Sequence, residues 1–399
     1  MTDFLEYRGQ HTSCKVYTDF VEESAVSQIY GFLNCPVFEG SPIRIMPDVH
    51  AGKGAVIGFT APIIQSPLRV IPNVIGVDIG CGVQAIKLGD HTSANHKVGK
   101  ITSILPEFDK YLRKHVPAGF NGLDRPSKRR QWLYQWYFGK GSDWDGFESD
   151  MENLTKRVNT DLARVWCSCG SLGGGNHFVE IGKGEDQSLW LIVHSGSRNL
   201  GLQVAGFHQK KAVEIMGKKG GLEWLEGENA QGYLRDMRLA QKYAMLNRLV
   251  MLDVLADFFD LKLRDVELVT SVHNYIGADD IIRKGAISAR DGEQVIIPWN
   301  MRDGVIIGTG KGNEEWNFSA PHGAGRVMSR GEAKRTIPMA DFKKTMDDSG
   351  VWTSCVSQGT LDESPMVYKD SETVKSFIAD TVAVTNNLKP IYNFKAGGE

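Results

Sequence analysis

Short apolar runs rich in branched residues recur along the chain, and most of them stop at glycine, asparagine or histidine. Residues 74–77, 83–88, 189–193, 266–272 and 305–307 have the length and composition of buried strands. Between about 230 and 259 the pattern changes to helical spacing. Tyr233, Met237, Ala240, Ala244, Met251, Leu255 and Phe258 share one face there, with Asn247 as the single polar interruption. That stripe reads as core packing and needs no cofactor. A further helix is expected over 362–378, and a short apolar strand over 388–394. Strands and helices do not alternate as in a Rossmann fold or a TIM barrel, so the fold class is α+β: one mixed α/β domain over residues 1–399. No repeat, low-complexity tract or Pro/Ser-rich linker divides it.

Composition narrows the function classes. The 399 residues are 41% hydrophobic and 24% charged, with a net charge of −2. A protein that coats nucleic acid through bulk positive charge is therefore excluded, whereas one that grips an RNA end through a local basic patch is not. The start, Met1-Thr2-Asp3-Phe4-Leu5-Glu6, lacks the basic and apolar segments of a signal peptide. No apolar run approaches the ~18 residues of a membrane span. A cytoplasmic location is expected. The six cysteines (Cys14, Cys35, Cys81, Cys167, Cys169 and Cys355) then read as thiols rather than a disulfide framework, most of them small core residues.

The ten histidines fall into two groups. His11, His91, His96, His115 and His208 lie in polar or helical context and are expected at the surface. The rest sit where apolar runs meet glycine or small polar residues. The run 189–193 delivers His194-Ser-Gly-Ser-Arg198, and 266–272 delivers His273-Asn274. Three glycines precede His177 in Gly173-Gly-Gly-Asn-His177-Phe-Val-Glu180, and His322 opens His322-Gly-Ala-Gly-Arg326. A strand end holds a side chain rigidly, and glycine lets backbone approach a ligand. One such histidine is ordinarily structural; several in the same setting suggest a shared metal site. In Asp78-Ile-Gly-Cys81-Gly82 a carboxylate and a thiol stand three residues apart on one glycine-rich turn, able to reach the same ion or a neighbouring pair. Imidazole, carboxylate and a single thiolate together suit Mn, Fe, Co or Zn, whereas a structural zinc site more often uses paired cysteines.

Six segments together resemble the RtcB family of RNA ligases: MPDVHAGKG from Met46, VIGVDIGCG from Val74, GGGNHFVE from Gly173, HSGSR from His194, VHN from Val272 and HGAGRVMSR from His322. The ordered set spans the chain from about residue 40 to its end. The resemblance implies a ligase that joins RNA 2′,3′-cyclic phosphate or 3′-phosphate ends to 5′-hydroxyl ends, using GTP and two Mn²⁺ ions. It implies that Cys81 bridges the two ions, with His194 and His273 completing one site and Asp78 and His177 the other. His322 is implied as the nucleophile that carries GMP. Asn176, Glu180, Asn274, Ala324, Gly325, Tyr368 and Lys395 are implied nucleotide contacts, with Glu180 reading the guanine edge. Arg198, Lys311 and Arg326 are candidates for phosphate or RNA. Asp48 and His50 are read as supporting or structural residues.

Departures from the family pattern stand beside these expectations. Pro298-Trp-Asn-Met-Arg302 replaces a small-residue Pro-Gly-Ser-Met-Gly turn, and Pro321 directly precedes His322. Both suggest a divergent member with altered nucleotide handling. Residues 110–165 are a candidate RNA-contacting insertion, because Arg125 to Tyr137 mixes cations with aromatic rings; the competing reading is an amphipathic helix with a solvated basic face. Two other functions compete with ligation: a metal-dependent, end-healing phosphodiesterase that no longer ligates, and a non-catalytic RNA-binding module.

Overall fold

The computed structural model describes residues 4–90, 95–217 and 219–397. His91 and the first three residues, Met1 to Asp3, lie outside them. Two sheets organise the chain. The larger has seven strands in the order Leu268–Val272, Gly82–Asp90, Ser188–Ser195, Phe178–Gly184, Val382–Lys395, Val305–Gly310 and Gln294–Pro298. Every neighbouring pair in it is antiparallel. Its two outer strands approach each other, and Ile296 N–H donates to Ser271 Oγ at 2.9 Å, so the sheet curls into a barrel-like form. The second sheet has six strands and carries Ile43–His50, Ile57–Pro62 and Ile281–Lys284 side by side.

Ser188–Ser195 is buried along its whole length, which is why it reads as an unbroken apolar run. Behind the sheet lies the long helix Gly227–Phe258, buried along the expected stripe except at its half-buried end, Phe258, and from Tyr243 to Asp253 on further sides as well. Among the described residues no helix is long and apolar enough to cross a membrane.

Three expected elements differ. Residues 74–77 are not a strand: Pro72 starts the short helix Pro72–Ile75, and Gly76, at φ +78°, ends it in a turn. The 362–378 segment is not one helix. It breaks into the 3-10 turns Gln358–Glu363 and Pro365–Val367 and the helix Ser371–Phe377, because Pro365 interrupts and the Asp370 side chain caps a new start at Thr373 N–H. The terminal strand is longer than 388–394, since its first half pairs with Val305–Gly310.

Candidate metal and nucleotide site

Antiparallel order gathers the histidines. Cys81 precedes Gly82–Asp90, His177 precedes Phe178–Gly184, His194 lies at the end of Ser188–Ser195, and His273 follows Leu268–Val272. Strand direction alternates across the sheet, so these two starts and two ends share one border. Cys81 Sγ lies 3.4 Å from His177 Nε2 and 3.3 Å from His194 Nε2. His194 Nε2 is 3.4 Å from His273 Nε2, and Asp78 Oδ2 is 3.1 Å from His177 Nε2. All five expected ligands thus form one continuous cluster. Gly196 is required beside it, because a Cβ there would collide with the Asp78 carboxylate.

Two residues assigned no site role from the sequence brace the cluster from the long helix. Arg248 is fully buried and donates to Gly80 O at 2.9 Å and Ser195 O at 2.7 Å. Asn247, the polar interruption of the apolar stripe, accepts from Gly170 N–H and donates to Gly196 O. The stripe is core, and its polar pair ties down the two turns that present Asp78, Cys81 and His194.

The donor set fits a cation. His177 Nδ1 is 2.8 Å from Leu172 O, and His194 Nδ1 is 3.3 Å from Asn176 O. A carbonyl oxygen only accepts, so each ring carries its proton on Nδ1 and turns the Nε2 lone pair inward. Burial holds His194 and His273 well below the usual imidazole range, with neighbouring histidines adding to the effect, so both rings are neutral donors. Burial and the Asp78 carboxylate push the Cys81 thiol well above its usual range. A bound cation reverses that balance, since thiolate is the form that ligates. Burial also opposes ionisation of Asp78, but its contacts with His177, Cys81 and His194 hold it below the usual carboxylate range.

His322 stands next to this cluster, its ring centroid 4.7 Å from that of His273. It follows the short strand Ser319–Pro321, which pairs with Ala286–Ser288; Pro321 lies within that pairing. His322 Nδ1 is 2.7 Å from Oδ2 of Asp48, a residue with 0% exposure. That bond occupies Nδ1, while Nε2 makes no hydrogen bond among the described residues, and it gives Asp48, read from the sequence only as a supporting residue, a definite contact.

A cavity of about 90 Å³ opens beside His322, lined among others by Asn176, Glu180, Trp299, Ala324, Gly325, Arg326, Tyr368 and Lys395. Burial raises the Glu180 carboxyl to about 8; Asn393 donates to its Oε2 at 2.7 Å, and Oε1 has no hydrogen-bond partner. Glu363, missed in the sequence, organises the far wall. It accepts from Tyr368 Oη at 2.5 Å and pairs with Arg330 at 2.8 Å, Lys395 at 3.1 Å and Arg326 at 3.3 Å. Burial opposes its charge, but these cations hold it at about 2.

Other candidates lie elsewhere. Asn274 lines neither this cavity nor the cleft described next; at φ +62° it donates to Asp78 O and accepts from Gly285 N–H, bracing the turn. Arg198 donates to Ser171 Oγ and Gly119 O and faces a second cleft of about 850 Å³ that reaches Asp78 and His177. Lys311 lines neither cavity and donates to Ala379 O. Of the expected surface histidines, His96 is exposed and His11 and His115 are half-buried. His208 is buried and bonded to Asp236 at 2.8 Å, a correction to the surface reading. In the 125–137 stretch, Arg129 pairs with Asp253 and Asp257, Arg130 sits 4.3 Å over the Trp166 ring, and Tyr134 stacks on Phe147. Arg129, Arg130 and Tyr134 therefore have partners within the helical layer.

Comparison with known proteins agrees with the geometry. Residues 28–396 match the family described as tRNA-splicing ligase RtcB. The chain is 30% identical to the RNA-splicing ligase RtcB of Escherichia coli K12, over 93% of this chain and 94% of that protein. It is 27% identical to the tRNA-splicing ligase RtcB of Nanoarchaeum equitans, over 86% of this chain and 84% of that one. With the family matched over nearly its whole length and the histidine, cysteine and aspartate motifs gathered at one sheet border, this chain belongs to the RtcB family.

Proposed function

We propose that this protein is a cytoplasmic RNA ligase that joins 2′,3′-cyclic phosphate or 3′-phosphate ends to 5′-hydroxyl ends, using GTP and two manganese ions. The observation that carries the reading is the placement of His322: Nδ1 held by Asp48, Nε2 free, the ring beside His273 and at the mouth of the cavity. In this reading Cys81, His194 and His273 would hold one ion, and Cys81, Asp78 and His177 the other. When bound, the ions neutralise and polarise phosphoryl oxygens.

The chain's own residues then divide the work. His322 Nε2 attacks the α-phosphorus of GTP; the new N–P bond forms as the bond to pyrophosphate breaks. Asp48 orients the ring and offsets the positive charge that develops on it. Glu180 accepts from the guanine edge, and Lys395 and Tyr368, fixed by Glu363, line the nucleoside. Water first opens a cyclic phosphate to the 3′-phosphate; an oxygen of that 3′-phosphate, which otherwise lacks a good leaving group, then attacks the GMP phosphorus as the His322 N–P bond breaks, and the 5′-hydroxyl attacks the RNA-side phosphorus, losing its proton to solvent and expelling GMP. Arg198 and Arg326 remain candidates for phosphate.

The test is His322→Ala with metal content, GMP adduct and sealing measured separately. Adduct formation and joining of 3′-phosphate ends should vanish while the metal stays bound. RNA already carrying the activated guanylyl end should still be sealed, since positioning carries the last step. A wild-type protein that never forms an acid-labile GMP adduct refutes the mechanism. A second reading, an end-healing phosphodiesterase, is favoured by one observation: with Trp299 in its wall, the cavity falls well short of the ~300–1,000 Å³ common for small-molecule sites.

A further inference from the structure

The 850 Å³ cleft reaches the candidate metal cluster at other residues than the nucleotide cavity, which meets it at His194. It touches Asp78 and His177, and among the described residues Arg330 alone lines both. Its walls combine two features rarely found together. Val77, Phe120 and Leu202 are 46%, 83% and 47% exposed, and Phe120 is the most exposed large apolar side chain among the described residues. Between them stand Arg164, Arg198, Arg330 and Lys334, which outnumber the carboxylates Asp78 and Asp362. Arg330 and Lys334 pair with Asp362, Arg198 bonds only neutral oxygens, and Arg164 is exposed and makes no ion pair among the described residues.

Phe120 is presented by a braced turn. Pro117 O accepts from Leu172 N–H at 2.8 Å, Gly119 N–H donates to Gly173 O at 2.9 Å, Gly119 O accepts from Arg198 at 2.6 Å, and Leu123 N–H donates to Cys167 O at 2.7 Å. The ring is therefore held out in solvent at the edge of a cationic cleft, within a few residues of the loop that carries His177. A ring beside cations is what unpaired bases and their phosphates select, whereas a duplex hides its base faces.

We propose that this cleft seats the unpaired terminal nucleotides of the RNA being joined, with a base stacked on Phe120 against Val77 and Leu202 and its phosphates met by Arg164 and Arg198. The assignment rests on the ligase reading and adds to it a single-strand requirement next to the join.

The test measures binding of short single-stranded RNAs, one ending in 5′-hydroxyl and one in 3′-phosphate, and of a blunt duplex, by fluorescence anisotropy across a salt series. Phe120→Ala should weaken at least one single-stranded RNA about tenfold, Phe120→Trp should restore it, and the duplex should be unaffected. Arg164→Ala should reduce the steepness of log K against log salt by about 0.7. Which RNA loses affinity identifies the strand the cleft takes. Wild-type affinity in Phe120→Ala with an unchanged salt slope in Arg164→Ala overturns the proposal, as does an equal loss for single strand and duplex. A covering protein partner would give that first outcome. The ligase reading is judged separately, by the GMP adduct and RNA joining of the wild type, so a protein that ligates while ignoring Phe120 refutes only the cleft.

Discussion

Asp48→Asn isolates the electrostatic part of nucleophile activation. The change is nearly isosteric, and Asp48 is wholly buried, with Oδ2 on His322 Nδ1 at 2.7 Å and Oδ1 without a hydrogen-bond partner. In the native pair the carboxylate can only accept, so the His322 proton stays on Nδ1. An asparagine amide has two faces. If its oxygen meets His322, the tautomer survives but the charge is lost; if its NH₂ does, the proton moves to Nε2 and the nucleophile is blocked. A hydrogen bond to a charged group is worth about 1.5–3 kcal/mol. The direct attraction between unit charges near 4 Å is about 4 kcal/mol at an effective dielectric of 20. These overlap rather than add, so the barrier to forming the cationic histidine adduct should rise by about 2–4 kcal/mol, a slowing of roughly 30- to 1,000-fold. The assay is single-turnover labelling with GTP carrying an α-phosphorus label, with metal content and thermal unfolding measured on the same preparation. A rate within about threefold of wild type, at normal metal content, refutes the role given to Asp48.

Two further perturbations separate the candidate metal cluster from the proposed nucleotide cavity. Cys81→Ala should remove the donor lying between His177 and His194 and lower metal content severely, whereas Cys167→Ala, a half-buried thiol away from the cluster, should leave it near normal; elemental analysis showing equal loss in both, or in neither, contradicts the bridging role. Trp299→Gly vacates a side chain packed with Ala324 and Tyr368 in the cavity wall. It should cost about 3–5 kcal/mol of stability and shift the GTP concentration for half-maximal His322 labelling without changing metal content, and identical labelling curves would make the turn purely structural.

Much of the site was legible because its residues break a local pattern. A histidine at the end of an apolar run, or after three glycines, has no role in strand or turn formation, so its presence there asks for another explanation. Asp78 and Cys81 lie close enough in sequence that their shared turn could be inferred. The partners of these groups were harder to see. Asp48 and His322 are 274 residues apart, and only the Ile43–His50 strand and the Ala286–Ser288 pairing with Ser319–Pro321 bring them together. Glu363 lay inside a stretch read as helix, where its burial beneath three cations and a tyrosine could not be foreseen. His208 was placed at the surface because its neighbours in sequence are polar, yet Asp236, on another helix, covers it.

What the sequence determined by itself is what short-range chemistry controls: the buried strands, the long apolar helix, the glycine turns that permit close approach, and the residue types able to bind a metal. The tertiary structure decided which of those residues meet. Antiparallel pairing sends alternate strand starts and ends to one border, and that places Cys81, His177, His194 and His273 within reach of one another. The packed structure also leaves Lys311 outside both cavities and lines a cleft with Phe120, Arg164, Arg198 and Arg330, residues that no single run of the sequence brings together. Periodicity reports which face of an element is buried, but only the packed sheet decides what that face is buried against.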